Sequence, residues 1–244
     1  MPDSRVEGNF SVIIPVYNEA GAIEGVIRDF YEKVIKKIPN AKFIIAEDGS
    51  TDGTKEILNR LNKEIPFILI SSRQRKGYAK AFRDGLSIAR TELVFFSDSD
   101  GQHDPEEVFK LLKEVDSNDI VSGYKAHRRD PIHRVVLSRA YNFLIYLLFG
   151  LKMRDIDSGF KLIKKEVIDD ILSGVTCMKY CVMSEFILKA YLNGYKIKEI
   201  PVSHCPRKSG KTGIFGLTSL PRIIAEVIKN LFEIKFSYIK HKSK

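Results

Sequence analysis

The sequence predicts an α/β fold with a mostly parallel central sheet covered by helices on both faces. Three observations carry this expectation. Short apolar runs alternate with amphipathic stretches, polar and glycine-bearing residues cluster just after those runs, and 244 residues at 44% hydrophobic content suffice for one sizeable core. Strands alternating with helices imply right-handed crossovers and hence a parallel sheet. Ordinary apolar content without low-complexity tracts excludes a disordered chain. Cys177, Cys181 and Cys205 are too few and too irregular for a disulfide framework, and read as free thiols of a reducing compartment.

Residues 10–16, 43–46, 67–70, 93–96 and 120–121 are rich in β-branched and aromatic side chains and read as buried strands. Between them 22–37, 54–62, 78–89 and 105–115 carry helical spacing, the last opened by Asp104 as N-cap and Pro105 at the first helical position. After residue 123 the rhythm changes. A basic loop at 125–134 leads into the apolar stretch 135–151, which Ser138, Arg139 and Asn142 interrupt. It falls short of the ~18–20 uninterrupted apolar residues of a transmembrane helix. A strand at 159–163, a helix near 184–193 and a strand near 196–202 follow. A second basic loop, 206–213, precedes a helix opened by Pro221 with Ile223, Ile224, Val227, Ile228, Leu231 and Phe232 at helical spacing. Residues 1–213 are therefore expected to form one domain, and 214–244 an amphipathic, basic helical extension. The polar N-terminus carries no signal-peptide pattern, so the expected location is the cytoplasm.

The net charge of +9 is unevenly placed: residues 1–122 sum to −4 and residues 123–244 to +13. The tail from Arg207 onward carries +7. A strongly basic second half points to an anionic partner, whether phosphate, nucleic acid or a membrane surface. Nucleic-acid binding predicts basic residues interleaved with exposed aromatics. The acidic clusters at the strand ends argue against it, and no nucleic-acid partner is expected.

Those clusters hold the chemistry. In an open parallel sheet, ligands bind at the carboxyl ends of the strands. The segment Phe96-Ser97-Asp98-Ser99-Asp100-Gly101-Gln102 sets two carboxylates one residue apart just past a buried strand. Mg2+ and Mn2+ take such oxygen ligands together with substrate phosphates. His103, next in the chain, reads as a loop residue. The segment Glu47-Asp48-Gly49-Ser50 offers acidic acceptors at a second strand end, and Pro15-Val16-Tyr17-Asn18-Glu19 an aromatic ring and a carboxylate at a third.

Together these three stretches resemble family 2 glycosyltransferases of the GT-A fold, a single Rossmann-like α/β/α sandwich. The resemblance implies that Pro15, Tyr17, Glu19 and Asp48 hold the nucleoside of a GDP- or UDP-linked sugar. It also implies that Asp98, Ser99, Asp100 and Gln102 hold the diphosphate and its Mg2+ or Mn2+. The Gly77-Tyr78-Ala79-Lys80 segment resembles the family's glycine-alanine helix start, which implies that Gly77 is a further donor-binding residue; Arg75 stands where an asparagine is more usual, and Glu47 replaces the commoner aspartate.

The second half is similar to the dolichyl-phosphate mannosyltransferases and related polyprenyl-phosphate glycosyltransferases, a resemblance running from about residue 10 to about residue 213. It implies an acceptor-phosphate set of Lys125, Arg128, Arg134, Ser138 and Arg139, a turn containing Asp155 and Asp157 before Ser158-Gly159-Phe160, and a loop whose Arg207 and Lys208 grip the donor phosphates. The expected catalytic residues are Asp98, Asp100, Arg207 and Asp155. A phosphate acceptor is already largely deprotonated near neutral pH, so no strong general base is needed. The expected partners are a nucleotide sugar, a polyprenyl or dolichyl phosphate and the cytosolic face of a membrane, with a separate membrane subunit as a candidate anchor. Two alternatives are a transferase acting on a non-lipid acceptor and an inactive sugar-nucleotide scaffold; intact Asp98, Asp100 and Arg207 argue against the second.

Overall fold

A computed structural model of the chain describes residues 6–126, 131–205 and 219–242. Seven strands form one sheet: β1 (Phe10–Val16), β2 (Lys42–Glu47), β3 (Ile68–Ser71), β4 (Leu93–Ser97), β5 (Ile120–Lys125), β6 (Phe160–Lys164) and β7 (Ile197–Val202). Their order is β3-β2-β1-β4-β6-β5-β7. All pairings are parallel except those of β6, which runs antiparallel to both β4 and β5.

The sheet's two faces bury different residues of the same strands. In β1, Phe10, Val12, Ile14 and Val16 join one core cluster while Ile13 joins the other; in β4, Phe95 opposes Val94 and Phe96. Side chains alternate between faces in a strand, so a run that places apolar residues on both faces demands cover on both sides. Helices α1 (Ile23–Lys33), α2 (Thr54–Leu61) and α4 (Val108–Leu112) cover one face. Helices α3 (Tyr78–Ile88), α5 (Ile132–Phe149), α6 (Lys165–Ile171), α7 (Val182–Leu192) and α8 (Leu220–Lys242) contribute to the other.

Several elements depart from the sequence expectations. The helix expected over 22–37 ends at Lys33 and tightens into a 3-10 turn, Ile35–Lys37. Pro39 forces its predecessor out of the helical region, and Ile38 is extended at φ −115° and ψ 104°. Asp104 does cap the next helix, accepting from the Glu106 amide at 3.2 Å, but only the 3-10 turn Pro105–Glu107 and short α4 follow. The strand at 67–70 is an edge strand rather than a buried one, with Ile68 50% exposed. Helix α6 had no signal of its own, its periodic stretch being two turns long. The apolar stretch 135–151 lies in α5 up to Phe149, with Gly150 capping the helix; Asn142 and Ile145 are buried residues and much of the helix surface is exposed.

Helix α8 packs against α7 and places Leu231 and Ile234 in the core. Its Asn230 side chain donates to the Cys177 carbonyl at 3.1 Å. The boundary expected at 213 falls outside the described residues. Among those described, no helix is long and apolar enough to cross a membrane.

Leu231 is fully buried. Leu231→Ala should therefore lower the stability of the whole domain by about 2–5 kcal/mol. A urea titration should show this as one cooperative transition moved to lower midpoint. A separate early transition would mean that α8 is a detachable appendage.

Candidate active site

Strand directions decide where the polar loops meet. The C-terminal ends of β1, β2, β4, β5 and β7 share one edge of the sheet, and antiparallel β6 starts from that same edge. The loops holding Tyr17, Asp48, Asp98, Lys125 and Asp155 therefore open on one side.

Asp98, half-buried at the end of β4, is held from two sides. Its amide donates to the Gly159 carbonyl at 3.0 Å, and the Tyr78 hydroxyl donates to its Oδ1 at 2.8 Å. Gly159 allows this approach because it has no side chain: a Cβ there would lie 2.0 Å from Asp98 Oδ2. The surrounding protein, and then the charge of Asp100, push the Asp98 carboxyl up to about 6. Asp100 Oδ1 accepts from the Gln102 amide at 3.1 Å, and the Gln102 carbonyl accepts from Cys205 at 2.8 Å. Ser99 is buried between the two aspartates.

This donor set fits a hard dication. Two carboxylates face one another's charge, and a cation between them would relieve the repulsion that raises Asp98. Among the described residues no group of three or more His, Cys, Asp or Glu side chains could hold a metal by itself. The fit is therefore to an ion that completes its shell with water and phosphate oxygens, as Mg2+ and Mn2+ do.

Beneath the carboxylates lies a fully buried cation, Lys161 on β6. Its ammonium donates to Ser122 Oγ at 2.8 Å. Burial lowers its pKa to about 8, against the pull of Asp155, Asp157, Glu199 and Asp98. No expectation from the sequence covers Lys161. The available signal was a lysine flanked by apolar residues on both sides in a strand, Phe160-Lys161-Leu162, where a charge needs carboxylate company.

The 154–159 turn is pinned by four other elements. Glu199 of β7 accepts the amides of Arg154 and Asp155 at 2.7 and 2.9 Å. Asn142 of α5 accepts Ile156 at 3.1 Å, and Ser158 Oγ donates to the Gly123 carbonyl at 2.6 Å. Asp157 Oδ1 accepts both the amide and the hydroxyl of Ser184 on α7. The residue is exposed, but its carboxyl is turned toward Ser184, and the hydration it loses there displaces its pKa upward.

On the other side of β4, Asp48 is buried and accepts the amides of Lys76 and Gly77 at 2.7 and 2.8 Å. Glu47 accepts from Ser50 and Ser71; burial raises its pKa, but these bonds outweigh burial and hold it below the usual range. Glu19 begins the turn into α1, its carbonyl accepting from Ala22 and Ile23, both at 2.9 Å. Pro15 is buried within β1 opposite Ala46. His103 packs buried against Phe160 with ring centroids 4.8 Å apart, and burial lowers its pKa to about 3, so it is neutral.

Of the residues expected at an acceptor phosphate, Lys125 ends β5, and Arg134 and Ser138 lie one turn apart on the half-buried side of α5. Arg139, a further ~100° around the helix, is exposed. Arg128, Arg207 and Lys208 lie outside the described residues.

A sheet of this order with carboxylates at the end of β4 defines the GT-A fold of nucleotide-sugar-type transferases. The chain matches the model of glycosyl transferase family 2 over residues 11–172 and belongs to that family of enzymes. It is 30% identical over 218 residues to polyprenol monophosphomannose synthase of Mycolicibacterium smegmatis, covering 84% of this chain and 80% of that protein. Glycosyltransferase AglD of Haloferax volcanii is 31% identical over 215 residues, 84% of this chain and 34% of its own length. Among solved structures, glucosyl-3-phosphoglycerate synthase from Mycobacterium tuberculosis, in complex with Mn2+, UDP-glucose and phosphoglyceric acid, superposes with TM-score 0.70 at 18% identity. That match covers 91% of this chain and 79% of the other. A mannosyltransferase from Pyrobaculum calidifontis in complex with GDP-Man and Mn2+ gives TM-score 0.63 at 22% identity, covering 87% and 60%.

Gly159→Ala would push the Asp98 carboxylate out of place, and a misplacement of about 1 Å costs on the order of 100-fold in rate. Transferase activity should fall by at least that factor. Retention of wild-type kcat/KM would show that the approach is dispensable.

Ionising Asp98 costs the fold stability, because its folded pKa of about 6 lies above the ordinary 3.8. The protonated form is favoured by folding, and its contribution is lost as pH rises through 6. Asp98→Asn lacks this term. In metal-free titrations, wild-type stability relative to Asp98→Asn should therefore decline from about pH 4 to about pH 7. A gap that is flat with pH would refute the raised pKa.

Proposed function

We propose that this enzyme transfers a hexosyl group from a nucleotide sugar, GDP-mannose or a UDP-hexose, to a polyprenyl phosphate of dolichyl type. An acceptor phosphate oxygen forms the new bond to the sugar's anomeric carbon on the face opposite the breaking bond. The nucleoside diphosphate leaves, and the configuration inverts. The acceptor arrives as an anion, so no proton needs removal.

One observation carries the lipid reading. Helix α5 combines Arg134 and Ser138 on its inner side with a large apolar outer surface, where Ile132, Phe143 and Leu147 are 82%, 60% and 61% exposed. Through Asn142 the same helix is tied to the turn beside Asp98. A lipid phosphate needs a cationic contact beside an apolar edge, whereas a soluble acceptor needs only the first. The name of the M. smegmatis relative, polyprenol monophosphomannose synthase, supports the same acceptor class.

In this reading Asp98, Asp100 and the Gln102 side chain hold Mg2+ or Mn2+ on the donor diphosphate. The ion would supply positive charge to the leaving diphosphate. Tyr78 and Gly159 hold Asp98 in place, and Asp155 helps position the reacting sugar. Arg207 and Lys208 supply further positive charge to the diphosphate. Lys125, Arg128, Arg134, Ser138 and Arg139 form the acceptor-phosphate set, whose cations bring the anion to the sugar. Helix α8 carries exposed Phe236 and Ile239 beside basic Arg222, Lys229 and Lys240, a composition suited to the surface of an anionic membrane. The enzyme would then work as a peripheral protein on the cytosolic face, with a membrane subunit as a candidate anchor.

The test pairs two acceptors, a long polyprenyl phosphate in anionic vesicles and a short water-soluble prenyl phosphate. Arg134→Ala should reduce kcat/KM at least about tenfold with both, since the phosphate contact is common. Phe236→Asp combined with Ile239→Asp should weaken vesicle binding and leave turnover of the short acceptor within about twofold. Failure with every prenyl phosphate, alongside transfer to a soluble sugar or phosphorylated acid, would remove the lipid reading.

A further inference from the structure

We propose that Arg75 selects the base of the donor and that the base it selects is guanine; this rests on the nucleotide-sugar reading above. In a doubly wound sheet the nucleotide lies across the strand-end crevice, with one mononucleotide-binding half built from the first strands. With the diphosphate at Asp98 and Asp100 on β4, the nucleoside falls toward the ends of β1, β2 and β3. That corner is formed by Tyr17, the Glu47–Ser50 turn and the loop carrying Arg75.

The hydrogen-bonding groups of this corner are unequal. Each Glu47 oxygen already accepts from the protein, one from the Ser50 amide and one from the Ser71 hydroxyl. Each Asp48 oxygen accepts a backbone amide, from Lys76 and from Gly77. The strand-end carboxylates thus shape the loops and are engaged in doing so. Arg75 differs. Its guanidinium carbon lies 4.2 Å from the centroid of the Tyr17 ring. A guanidinium held over an aromatic ring keeps N–H donors for a further partner. Among the described residues no acceptor meets them.

The backbone holds Arg75 at this spot. Gly49 has φ +74°, and a Cβ there would lie 2.4 Å from the Arg75 nitrogen, so the turn and the loop can touch only because residue 49 is glycine. Residue 75 is therefore held at its main chain by the Gly49 turn and at its guanidinium by the Tyr17 ring.

A planar fork of two donors matches two adjacent acceptors. Guanine presents O6 and N7 side by side, whereas adenine sets an amino donor beside N7. Uracil separates its two carbonyls by an N–H. Guanine alone among these bases engages both arms of the fork, and hypoxanthine shares its O6 and N7.

The experiment measures calorimetric binding of GDP, UDP, ADP and inosine diphosphate, each with Mn2+, to the full chain and to Arg75→Ala and Arg75→Lys. Arg75 is exposed, so both variants should fold, and melting temperatures check this. GDP and inosine diphosphate should bind alike and at least about tenfold more tightly than UDP or ADP. Both variants should bring the four nucleotides within about twofold of one another, lysine keeping the charge but losing the fork. Inosine diphosphate binding much more weakly than GDP would move recognition to the 2-amino edge and overturn the proposal. A GDP preference that survives either substitution overturns it, as does a wild-type preference for UDP. An equal loss for all four nucleotides also does so, because it marks a phosphate contact. If the wild type binds none of them, the nucleotide-sugar reading fails and takes this inference with it.

Discussion

The rest of the site depends on a backbone passing within van der Waals reach of a carboxylate. Gly159 gives the Asp98 amide its carbonyl and leaves no atom where a Cβ would meet Asp98 Oδ2. For that contact to hold, the turn before β6 must be fixed from several directions. Glu199, Asn142, the Gly123 carbonyl and Ser184 do this from β7, α5, β5 and α7. Each bond is modest, about 0.5–1.5 kcal/mol for a neutral pair and more where a carboxylate accepts. Their value is geometric, because they come from elements that are far apart in sequence and converge on one short segment.

The same convergence raises an electrostatic problem. Asp98, Asp155, Asp157 and Glu199 bring several negative charges to one edge, and like charges at close range oppose their joint ionisation. The buried ammonium of Lys161 is the internal counter-charge. It lies on the only antiparallel strand of the described sheet, between the strands that carry Phe96 and Ser122. Its own pKa is lowered by burial and supported by the surrounding carboxylates, so the cation and the acids sustain one another's charged forms.

Much of this was legible in the residues. The limits of β1 coincide with the apolar run, because a central strand needs apolar cover on both faces; its one polar residue, Ser11, is buried and shares a hydrogen bond with Thr91. Asp98 and Asp100 stood out because two acids followed such a run. The pinning residues were not legible. Asn142 reaches Ile156 across 14 residues and Glu199 reaches Asp155 across 44. Side chain-to-backbone bonds of that span leave no period in the sequence. The strand at 160–164 was recognisable as a strand, but its direction and its place between β4 and β5 depend on tertiary pairing that local patterning does not encode. The position of Arg139 on α5, about 100° around the helix from Ser138, required the helix phase, which the basic segment alone did not give.

The insertion of β6 bears on how the chain reaches this structure. Strands β4 and β5 follow one another in sequence yet never pair, since β6 lies between them. A nascent chain that has emerged only through β5 thus has two strands that could join in the wrong, direct register, with the correct spacer still unmade. The sheet can be completed only after residues 160–164 arrive and fit an already parallel pair from the opposite direction. Loop closure of this kind comes late and slows folding relative to local helix formation. Until then β4 presents an open edge of Leu93-Val94-Phe95-Phe96, apolar and unpaired on that side, the sort of surface that chaperones shield during synthesis.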